Sequence, residues 1–417
     1  MKKNNITIAL AAALTFGVST SATAAGFQLA EYSATGLGRA FAGEAAMADN
    51  AGAQFRNPAM LTYLKGTQVS TGAIYVDPNI DVKGNLHITK PVKASIPTEA
   101  EDIAGSAVIP NFYVSHQLND QVFLGLAFST NYGMETKLGG DFKATQYGNQ
   151  AKVHSVEINP NIAYQINEQF SVGAGVRYVM GEGHFGAATG GQDLKYMEGE
   201  DNAWGWQLGT AWQINDDNRI GFNYRSAVDL KLEGEASGLV FDMMAQQKNG
   251  SYSGSMDLTL PATAELASFH QLTDQLAVHA SFNWTDWSSF DKLEANIDKL
   301  GTQHIKDENW EDNYRFAVGS TYQLNQAVVL RTGVAYDTSA VNDDNRTQTI
   351  PETDRLWLSV GAGYQVTKAF TLDGGFTYIF AKDASMTETD DNLPGSSFTG
   401  ETTGSVWLVG VQASYRF

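Results

Sequence analysis

The residues with catalytic or metal-binding chemistry are scattered along this 417-residue chain. None of the seven histidines belongs to a His-Glu-x-x-His zinc motif, and no Gly-x-Ser-x-Gly turn presents a nucleophilic serine. The absence of cysteine excludes thiolate catalysis and cysteine-ligated zinc. We therefore expect no catalytic residue, no metal site, no cofactor and no enzyme activity. A lipase whose triad assembles from distant side chains is the alternative left open.

The dominant pattern around these residues is an alternation of apolar with small or polar residues, which predicts β-strands. "AVIPNFYVSHQL" (107–118) is followed by the turn "ND" and then by "VFLGLAFSTNYG" (122–133). Similar hairpins recur along the chain, separated by longer polar stretches such as 236–251 and 288–310. Short turns at one end and long loops at the other are typical of β-barrels of the bacterial outer membrane.

Backbone hydrogen bonding explains why such strands must form a barrel. In lipid, an unpaired N–H or C=O costs several kcal/mol, so a spanning sheet has to close on itself. We predict an all-β fold, a transmembrane antiparallel β-barrel of about 14 strands over residues 67–417. The last strand, "SVWLVGVQASYRF" (405–417), should pair with the first.

The same alternation predicts which side chains face lipid. In the last strand we expect the outward residues to be Trp407, Val409, Val411 and Tyr415, and the lumen residues to be Gln412, Ser414 and Arg416. Tryptophans at outward positions favour a lipid interface over a periplasmic β-sandwich or propeller. We assign this orientation to Trp204, Trp206, Trp357 and Trp407.

The N-terminus has the layout of a secretory signal peptide. Lys2 and Lys3 precede an apolar stretch from Ile6 to Val18, and Ala22-Thr23-Ala24 supplies the small residues of a cleavage site. The apolar stretch is too short for a membrane-anchoring helix. We expect residues 1–24 to be removed and the mature chain to reside in the bacterial outer membrane.

The acidic balance of the chain bears on its partners. A formal net charge of −19 argues against nucleic acid, since phosphate binding requires a basic surface. Acidic loops of this kind are usually solvated, and at a bacterial surface they could also bridge to lipopolysaccharide through divalent cations. We expect contacts with outer-membrane lipid and lipopolysaccharide.

Residues 25–66 do not follow the strand pattern. This segment is rich in alanine and glycine, with helix-like spacing and no alternation. A barrel of about 14 strands encloses a lumen that would leak solutes unless something filled it. We predict that residues 25–66 form a helical hatch inside the lumen; a free periplasmic tail is the alternative.

The hatch segment carries a specific resemblance. "AGFQLAEYSATGLGRAFAGEAAMADNAGAQFRNPAML" resembles the N-terminal hatch of the FadL-type outer-membrane transporters of long-chain fatty acids, including its Asn-Pro-Ala motif at Asn57, Pro58 and Ala59. The similarity continues through "STNYGMETKL", "DNYRFAVGSTY" and "NRTQTIPETDRLWLSVGAGY" to the C-terminal strand. It covers nearly all of the predicted mature chain.

The resemblance implies passive import of hydrophobic ligands. In the family, a ligand binds a groove among the outer loops and then a lumen pocket. Hatch movement at Asn57–Ala59 opens a route to a lateral gap, where the third strand kinks. The kink would fall at "FSTNYG", and its residues here are Phe128, Asn131, Tyr132 and Gly133. Independently of the family, alternation breaks at residues 131–133, and glycine in a strand permits a bulge; a strand simply ending in its loop explains this break equally well.

A carboxylate head group would bind a cation or a hydroxyl. Our candidates are Lys306, Arg315, Ser129 and Thr130, of which Lys306 corresponds loosely to a ligand-contacting lysine region of the family. A charge pair within the lumen is an equally good reading of Arg315.

We expect a monomeric importer of long-chain fatty acids or other hydrophobic small molecules. The alternatives are an importer of aromatic hydrocarbons on the same scaffold, a general porin, and a surface receptor, for phage or toxins for example.

Overall fold

The computed structural model describes residues 26–90, 93–390 and 393–417. The predicted signal peptide, residues 1–24, lies outside the described residues, as does Ala25 of the predicted hatch. The strands of the first half are β1 (Thr67–Ile88), β2 (Ala94–Ala100), β3 (Ala107–Gln117), β4 (Val122–Ser129), β5 (Gly133–Lys137), β6 (Gln150–Gln165), β7 (Phe170–Thr189), β8 (Gln192–Asn215), β9 (Asn218–Arg225) and β10 (Val228–Ser237). Those of the second half are β11 (Ser251–Leu260), β12 (Thr263–Gln271), β13 (Leu276–Thr285), β14 (Lys292–Ile297), β15 (Gly301–Asp307), β16 (Asn313–Gln323), β17 (Val328–Asp337), β18 (Arg355–Gln365), β19 (Phe370–Ala381), β20 (Ala384–Glu388) and β21 (Ser396–Arg416).

These strands form one closed antiparallel sheet. Several barrel strands are interrupted, so that two consecutive segments lie in line, as β4 and β5 do against β6. Counted this way the barrel has fourteen strands. The last strand closes it, because β21 pairs with β1 from Gln68↔Arg416 to Ile88↔Ser396. The predicted barrel, and the pairing of its last strand with its first, are confirmed.

Short hairpins at one end of the barrel share an asparagine whose side chain accepts hydrogen bonds from the backbone of the turn. The Asn119 side-chain oxygen accepts hydrogen bonds from the backbone N–H groups two and three residues later, each 2.9 Å long. Asn167 and Asn325 do the same in the β6–β7 and β16–β17 turns. An asparagine that binds its own backbone in this way favours a tight turn over continued strand. The polar turns read from the sequence therefore lie where chain reversal is needed.

Side chains alternate between lipid and lumen as closure requires. In β21, Val411 is 63% exposed and Gln412 is 2% exposed. Outward aromatics pair across strands, as in Tyr178–Trp204 with ring centroids 4.8 Å apart. The orientation predicted for Trp357 is wrong, because this indole is 0% exposed and faces the lumen. Leu356, Trp357 and Leu358 are all apolar, so hydrophobicity alone does not fix the phase of this strand.

The hatch, here residues 26–66, is almost wholly buried inside the barrel. It contains helices α1 (Ala34–Leu37) and α2 (Ala53–Arg56) and 3₁₀ turns at Glu44–Ala46 and Pro58–Tyr63. These pieces contact strands all round the wall, including β6–β9, β12, β18, β19 and β21. The hatch therefore fills the lumen, as predicted.

Along the described chain, helical structure outside the hatch is confined to the loops. It comprises α3 (Leu239–Ala245) and 3₁₀ turns at Thr145–Tyr147 and Trp287–Ser289. Within residues 26–90, 93–390 and 393–417, no helix has the length and apolar character needed to cross a bilayer.

Candidate functional site

Side-chain caps hold the hatch pieces against the wall. Ser33 caps α1 by accepting a hydrogen bond from the Gly36 N–H, and its hydroxyl donates to Gln412 Oε1 at 3.0 Å. The Ala34 N–H donates to the same oxygen at 3.1 Å. A cap residue that also binds β21 fixes the helix start to the barrel.

The predicted gate, Asn57–Ala59, is a junction between hatch and wall. Asn57 Oδ1 accepts from the Ala59 N–H at 3.0 Å, while Nδ2 donates to the carbonyls of Ala45 at 2.7 Å and of Thr210 at 2.9 Å. Pro58 occupies the first position of the 3₁₀ turn, where its missing N–H costs nothing. Movement of this segment would break bonds to the hatch and to β8 at once.

Glycines in the wall allow this close approach. A Cβ at Gly209 would collide with the Asn57 side chain, and one at Gly173 would collide with the backbone of Pro58 and Ala59. Larger residues at these two positions would push the gate away from β7 and β8.

The third barrel strand breaks at a kink formed by Thr130–Tyr132. β4 ends with the pair Ser129↔Glu157 and β5 begins with the pair Gly133↔His154. One strand advances four residues while β6 advances three, so one residue is extra, which is the definition of a bulge. Phe128 remains in the ladder of β4, and Gly133 is the first residue of β5.

A gap in the wall accompanies the kink. β3 starts at Ala107, yet its pairing with β4 extends only from Gln117↔Phe123 to Phe112↔Phe128. Along the described chain, residues 107–111 of β3 have no partner on β4 or β5. A single bridge, Ala104↔Thr136, closes the far side of this gap.

The hatch supplies the hydrogen bonds that the kink lacks. Gln28 forms a bridge with Tyr132, the Leu29 N–H donates to the Asn131 carbonyl at 2.7 Å, and the Gly133 N–H donates to the Phe27 carbonyl at 2.9 Å. The first residues of the hatch thus act as a short strand inside the gap.

A buried ionic cluster anchors the kink from the other side. The Asn131 amide donates to the carboxylate of Glu157, which is 0% exposed. The same carboxylate accepts from Arg177 Nε at 2.9 Å and from Arg225 Nη2 at 2.6 Å. Arg225 also donates to the Phe55 carbonyl at 2.8 Å, so this cluster connects the kink to α2.

Next to the gap lies a group of four rings, here called the aromatic box: Phe27, Trp287, Phe290 and Trp310. The ring centroids of Phe27 and Trp287 are 4.5 Å apart, and those of Phe290 and Trp310 are 5.0 Å apart. Edge-to-face packing of this kind contributes beyond simple burial. Phe27 belongs to both the box and the strand that fills the gap.

Two loop carboxyls flank the aromatic box. Burial raises the pKa of Glu308 to about 7, although Lys306 and the Trp310 indole N–H act in the opposite direction. Burial likewise raises the pKa of Glu352 to about 7, against the lowering by Arg355 and by the Gly26 N–H. The packing over the box therefore carries groups that titrate near neutral pH.

The predicted head-group residues lie in three places, each with partners of its own. Lys306 forms an ion pair with Glu388. Arg315 binds Asp337 through two bonds of 2.7 and 2.8 Å and lies 4.2 Å from the Trp357 ring. Ser129 and Thr130 are buried at the kink, where the Ser129 hydroxyl donates to Asn131 Oδ1 at 3.2 Å.

Several residues of this site were not found by sequence reasoning. The aromatic box joins residues 27, 287, 290 and 310, and no local pattern connects them. The Glu157 cluster likewise joins four different barrel strands. Arg56 is different, because it directly precedes the Asn-Pro-Ala motif and could have been singled out from that position. Among the described residues, no group of three or more histidines, aspartates and glutamates could hold a metal ion.

Comparison with known proteins gives this geometry its context. Residues 15–417 match the model of a family described as "Outer membrane protein transport protein (OMPP1/FadL/TodX)". The chain is 32% identical over 450 residues to a "Long-chain fatty acid transport protein" of Escherichia coli O6:H1, covering 98% of each chain. It is 33% identical to "Outer membrane protein P1" of Haemophilus influenzae over 466 residues, covering 100% of each.

Solved structures show the same fold. A Pseudomonas aeruginosa FadL homologue superimposes with a TM-score of 0.87 at 23% identity, covering 94% of this chain and 100% of that one. The Ralstonia pickettii toluene transporter TbuX gives a TM-score of 0.69 at 18% identity, covering 94% and 100%. On the family match and the curated relatives, this chain belongs to the OMPP1/FadL/TodX family of outer-membrane transport proteins.

Proposed function

We propose that the protein imports long-chain fatty acids passively across the outer membrane and releases them sideways through the barrel wall. The observation that carries this proposal is the gap between β3 and the kink, which the hatch residues Phe27–Leu29 occupy. The curated relatives that are named long-chain fatty acid transport proteins support the substrate class. The proposal requires no catalytic group.

The route follows from the double role of Phe27. A ligand tail that enters the aromatic box competes with the Phe27 ring for apolar contacts. Displacing that ring loosens the two backbone hydrogen bonds that Phe27 and Leu29 make with the kink. The gap then opens towards lipid, and the tail leaves without crossing water.

A route in which ligand binding displaces a hatch residue avoids binding the ligand too tightly for release. Burying about fifteen methylenes at about 0.8 kcal/mol each is worth up to roughly 12 kcal/mol, so a fully apolar static pocket would release its ligand slowly. A pocket that includes a movable hatch residue is disrupted by the movement that opens the exit.

Import of monoaromatic hydrocarbons is the second candidate. Structural neighbours include proteins described as toluene transporters, with TM-scores of 0.69 for TbuX and for one TodX structure. Aromatic rings pack favourably against one another, so a small aromatic ligand would also compete with Phe27 for contacts in the box. The two candidates share the lumen route and differ in the ligand.

Whole-cell uptake tests this proposal. Cells that lack their own transporter would receive this protein or an empty vector, and uptake of labelled oleate, toluene and a small sugar would be compared. We expect oleate uptake to rise while sugar entry stays at the vector level, because the hatch fills the lumen. Toluene uptake without oleate uptake would favour the second candidate, and sugar entry without oleate uptake would indicate an open pore and overturn the proposal.

A further inference from the structure

Arg56 is a buried cation with an incomplete set of partners. It ends α2, immediately before the gate, and its side chain is 12% exposed. Its ion pair with Glu265 of β12 is 3.8 Å long between Nη1 and Oε2, which is beyond hydrogen-bond distance. Within the described residues, neither Arg56 Nε nor Glu265 Oε2 has a hydrogen-bond partner. Buried polar groups are rarely left unpaired, so this pair requires an explanation.

The other ion-paired arginines of the lumen are held more closely. The guanidinium of Arg39 lies 2.7 Å from Asp49, that of Arg331 lies 2.7 Å from Asp373, and that of Arg315 lies 2.7 Å from Asp337. In the part of the chain that the structure describes, Arg56 has the longest ion pair of any arginine. Among the arginines that have an acidic partner, its charge is therefore the one held at the greatest distance from that partner.

Arg56 lines a small cavity beneath the first hatch residues. The cavity has a volume of about 40 Å³ and is bounded on the hatch side by Gln28, Leu29 and Ala30. On the barrel side it is bounded by residues that include Trp284, Thr285, Trp357 and the ion pair between Arg315 and Asp337. By this measure a cavity needs about 10–15 Å³ to hold one water molecule, so this space has room for a small polar group such as a carboxylate.

The cavity adjoins the aromatic box along two chain segments. Gln28 directly follows Phe27, and Thr285 lies two residues before Trp287. The Thr285 hydroxyl donates to Gln28 Oε1 at 3.0 Å, and this single bond spans the boundary between cavity and box. A ligand with its tail against the box would thus have its head group on the Arg56 side.

We propose that Arg56 binds the carboxylate head group of the ligand, in the cavity beneath Gln28–Ala30. This inference rests on the proposed function and identifies the chemical group that the site recognises, namely a carboxylate joined to an apolar tail. A guanidinium binds a carboxylate through charge-assisted hydrogen bonds, and these replace the long contact with Glu265. Glu265 Oε1 stays in place, because it accepts from the Ala45 N–H at 2.9 Å.

The position of Arg56 in the chain links binding to the gate. Its carbonyl is joined directly to Asn57, whose side chain fixes the gate to β8 and to Ala45. A shift of the guanidinium towards a bound carboxylate acts on that junction through one peptide bond. Neutral apolar ligands would enter the box without this effect.

Binding to the purified full-length protein tests the inference. Dodecanoate and dodecanol serve as probes that differ only in the head group, and tryptophan fluorescence reports occupancy beside the box. We expect Arg56→Gln to weaken dodecanoate binding about tenfold or more and to leave dodecanol binding unchanged. Glu265→Gln should strengthen dodecanoate binding, because a competing carboxylate is removed. Lys65→Gln, at an exposed hatch cation outside the cavity, is the matched control and should change neither.

Each other outcome has a defined meaning. Equal weakening of both probes by Arg56→Gln would show that this residue only supports the hatch, and unchanged binding of both would show that it contacts no ligand; either result overturns the inference. If the unaltered protein binds both probes and imports oleate, the proposed function stands whatever Arg56→Gln does. If the unaltered protein binds neither probe and imports no oleate, the proposed function fails and this site fails with it.

Discussion

At the residue scale, the Glu157 cluster distributes buried charge over several groups. The Glu157 carboxylate accepts hydrogen bonds from two arginines and one amide. Glu182 lies on the next barrel strand, where it forms an ion pair with Lys152 at a half-exposed position. Removing one member of a buried cluster leaves uncompensated charge, while an exposed pair contributes little. The two glutamates therefore form a natural pair for comparison.

Glu157→Gln should destabilise the barrel and loosen the kink. We expect a loss of about 3–5 kcal/mol, because Arg177 and Arg225 keep their charges without a counter-ion. The matched control, Glu182→Gln, should cost less than about 1 kcal/mol. Heat-modifiable gel mobility and urea unfolding in detergent would measure the difference. Equal stability of the two variants would show that Glu157 is not an anchor.

A pH dependence follows from the loop carboxyls Glu308 and Glu352. Their folded pKa of about 7 lies above the ordinary value of 4.5, so the folded protein binds more protons between these values. Their contribution to stability is complete below about pH 4.5 and is lost as the pH rises through about 7. We expect the packing over the aromatic box to loosen from pH 5.5 to pH 8.5.

Limited proteolysis of the loops, followed across this pH range, would measure the loosening. The double variant Glu308→Gln, Glu352→Gln should flatten the profile, since an amide does not titrate. Glu311→Gln, at an exposed position in the same loop as Glu308, is the control and should keep the profile. A profile that stays steep in the double variant would place the titrating group elsewhere.

At the element scale, the hatch consists of several short helical pieces, and none of the strands β1–β21 belongs to it. Its helices have four residues each, too few to be stable alone. They persist because caps such as Ser33 and Asn57 bind the wall while alanine and glycine let the backbones approach closely. The ladders of β1–β21 are therefore made without residues from these pieces.

Deletion of Asn57–Ala59 tests this separation. We expect the variant to form a normal heat-modifiable barrel, because every strand ladder is retained, and to lose most oleate uptake, because the junction between hatch and β8 is gone. Uptake per surface-exposed barrel would be compared with the intact chain. Intact uptake at equal abundance would contradict a gating role, and failure to form the barrel would contradict the independence of the two elements.

At the scale of the whole molecule, the protein is a closed sheet with its apolar face outward and its polar network inward. Among the described strands beside the kink, residues 107–111 of β3 have no partner on β4 or β5, and hatch residues bond to the kink in place of a neighbouring strand. Strand pairing and hatch docking thus meet at one point of the wall. Under the proposed function, a ligand that displaced Phe27 would act on both at once.

The sequence by itself determined the architecture of this protein. Period-two alternation, short turns with long loops and the alanine-rich segment before residue 67 indicated a closed barrel with a hatch, because backbone groups in lipid allow few other solutions. The break at residues 131–133 marked the kink, while the gating role predicted for the Asn-Pro-Ala motif stays a prediction. These signals are local, so they can be read along the chain.

Only the tertiary structure decided which side chains meet in the lumen. Trp357 faces inward beside Arg315, although its two neighbours are also apolar and the sequence therefore allowed either face of the strand to point outward. The aromatic box joins residue 27 to residues near 300. The partner of Lys306 and the loose pairing of Arg56 likewise depend on residues far apart in sequence. The physical reason is that alternation gives each strand two faces, whereas barrel closure and hatch docking decide which residues from distant strands share one level of the lumen.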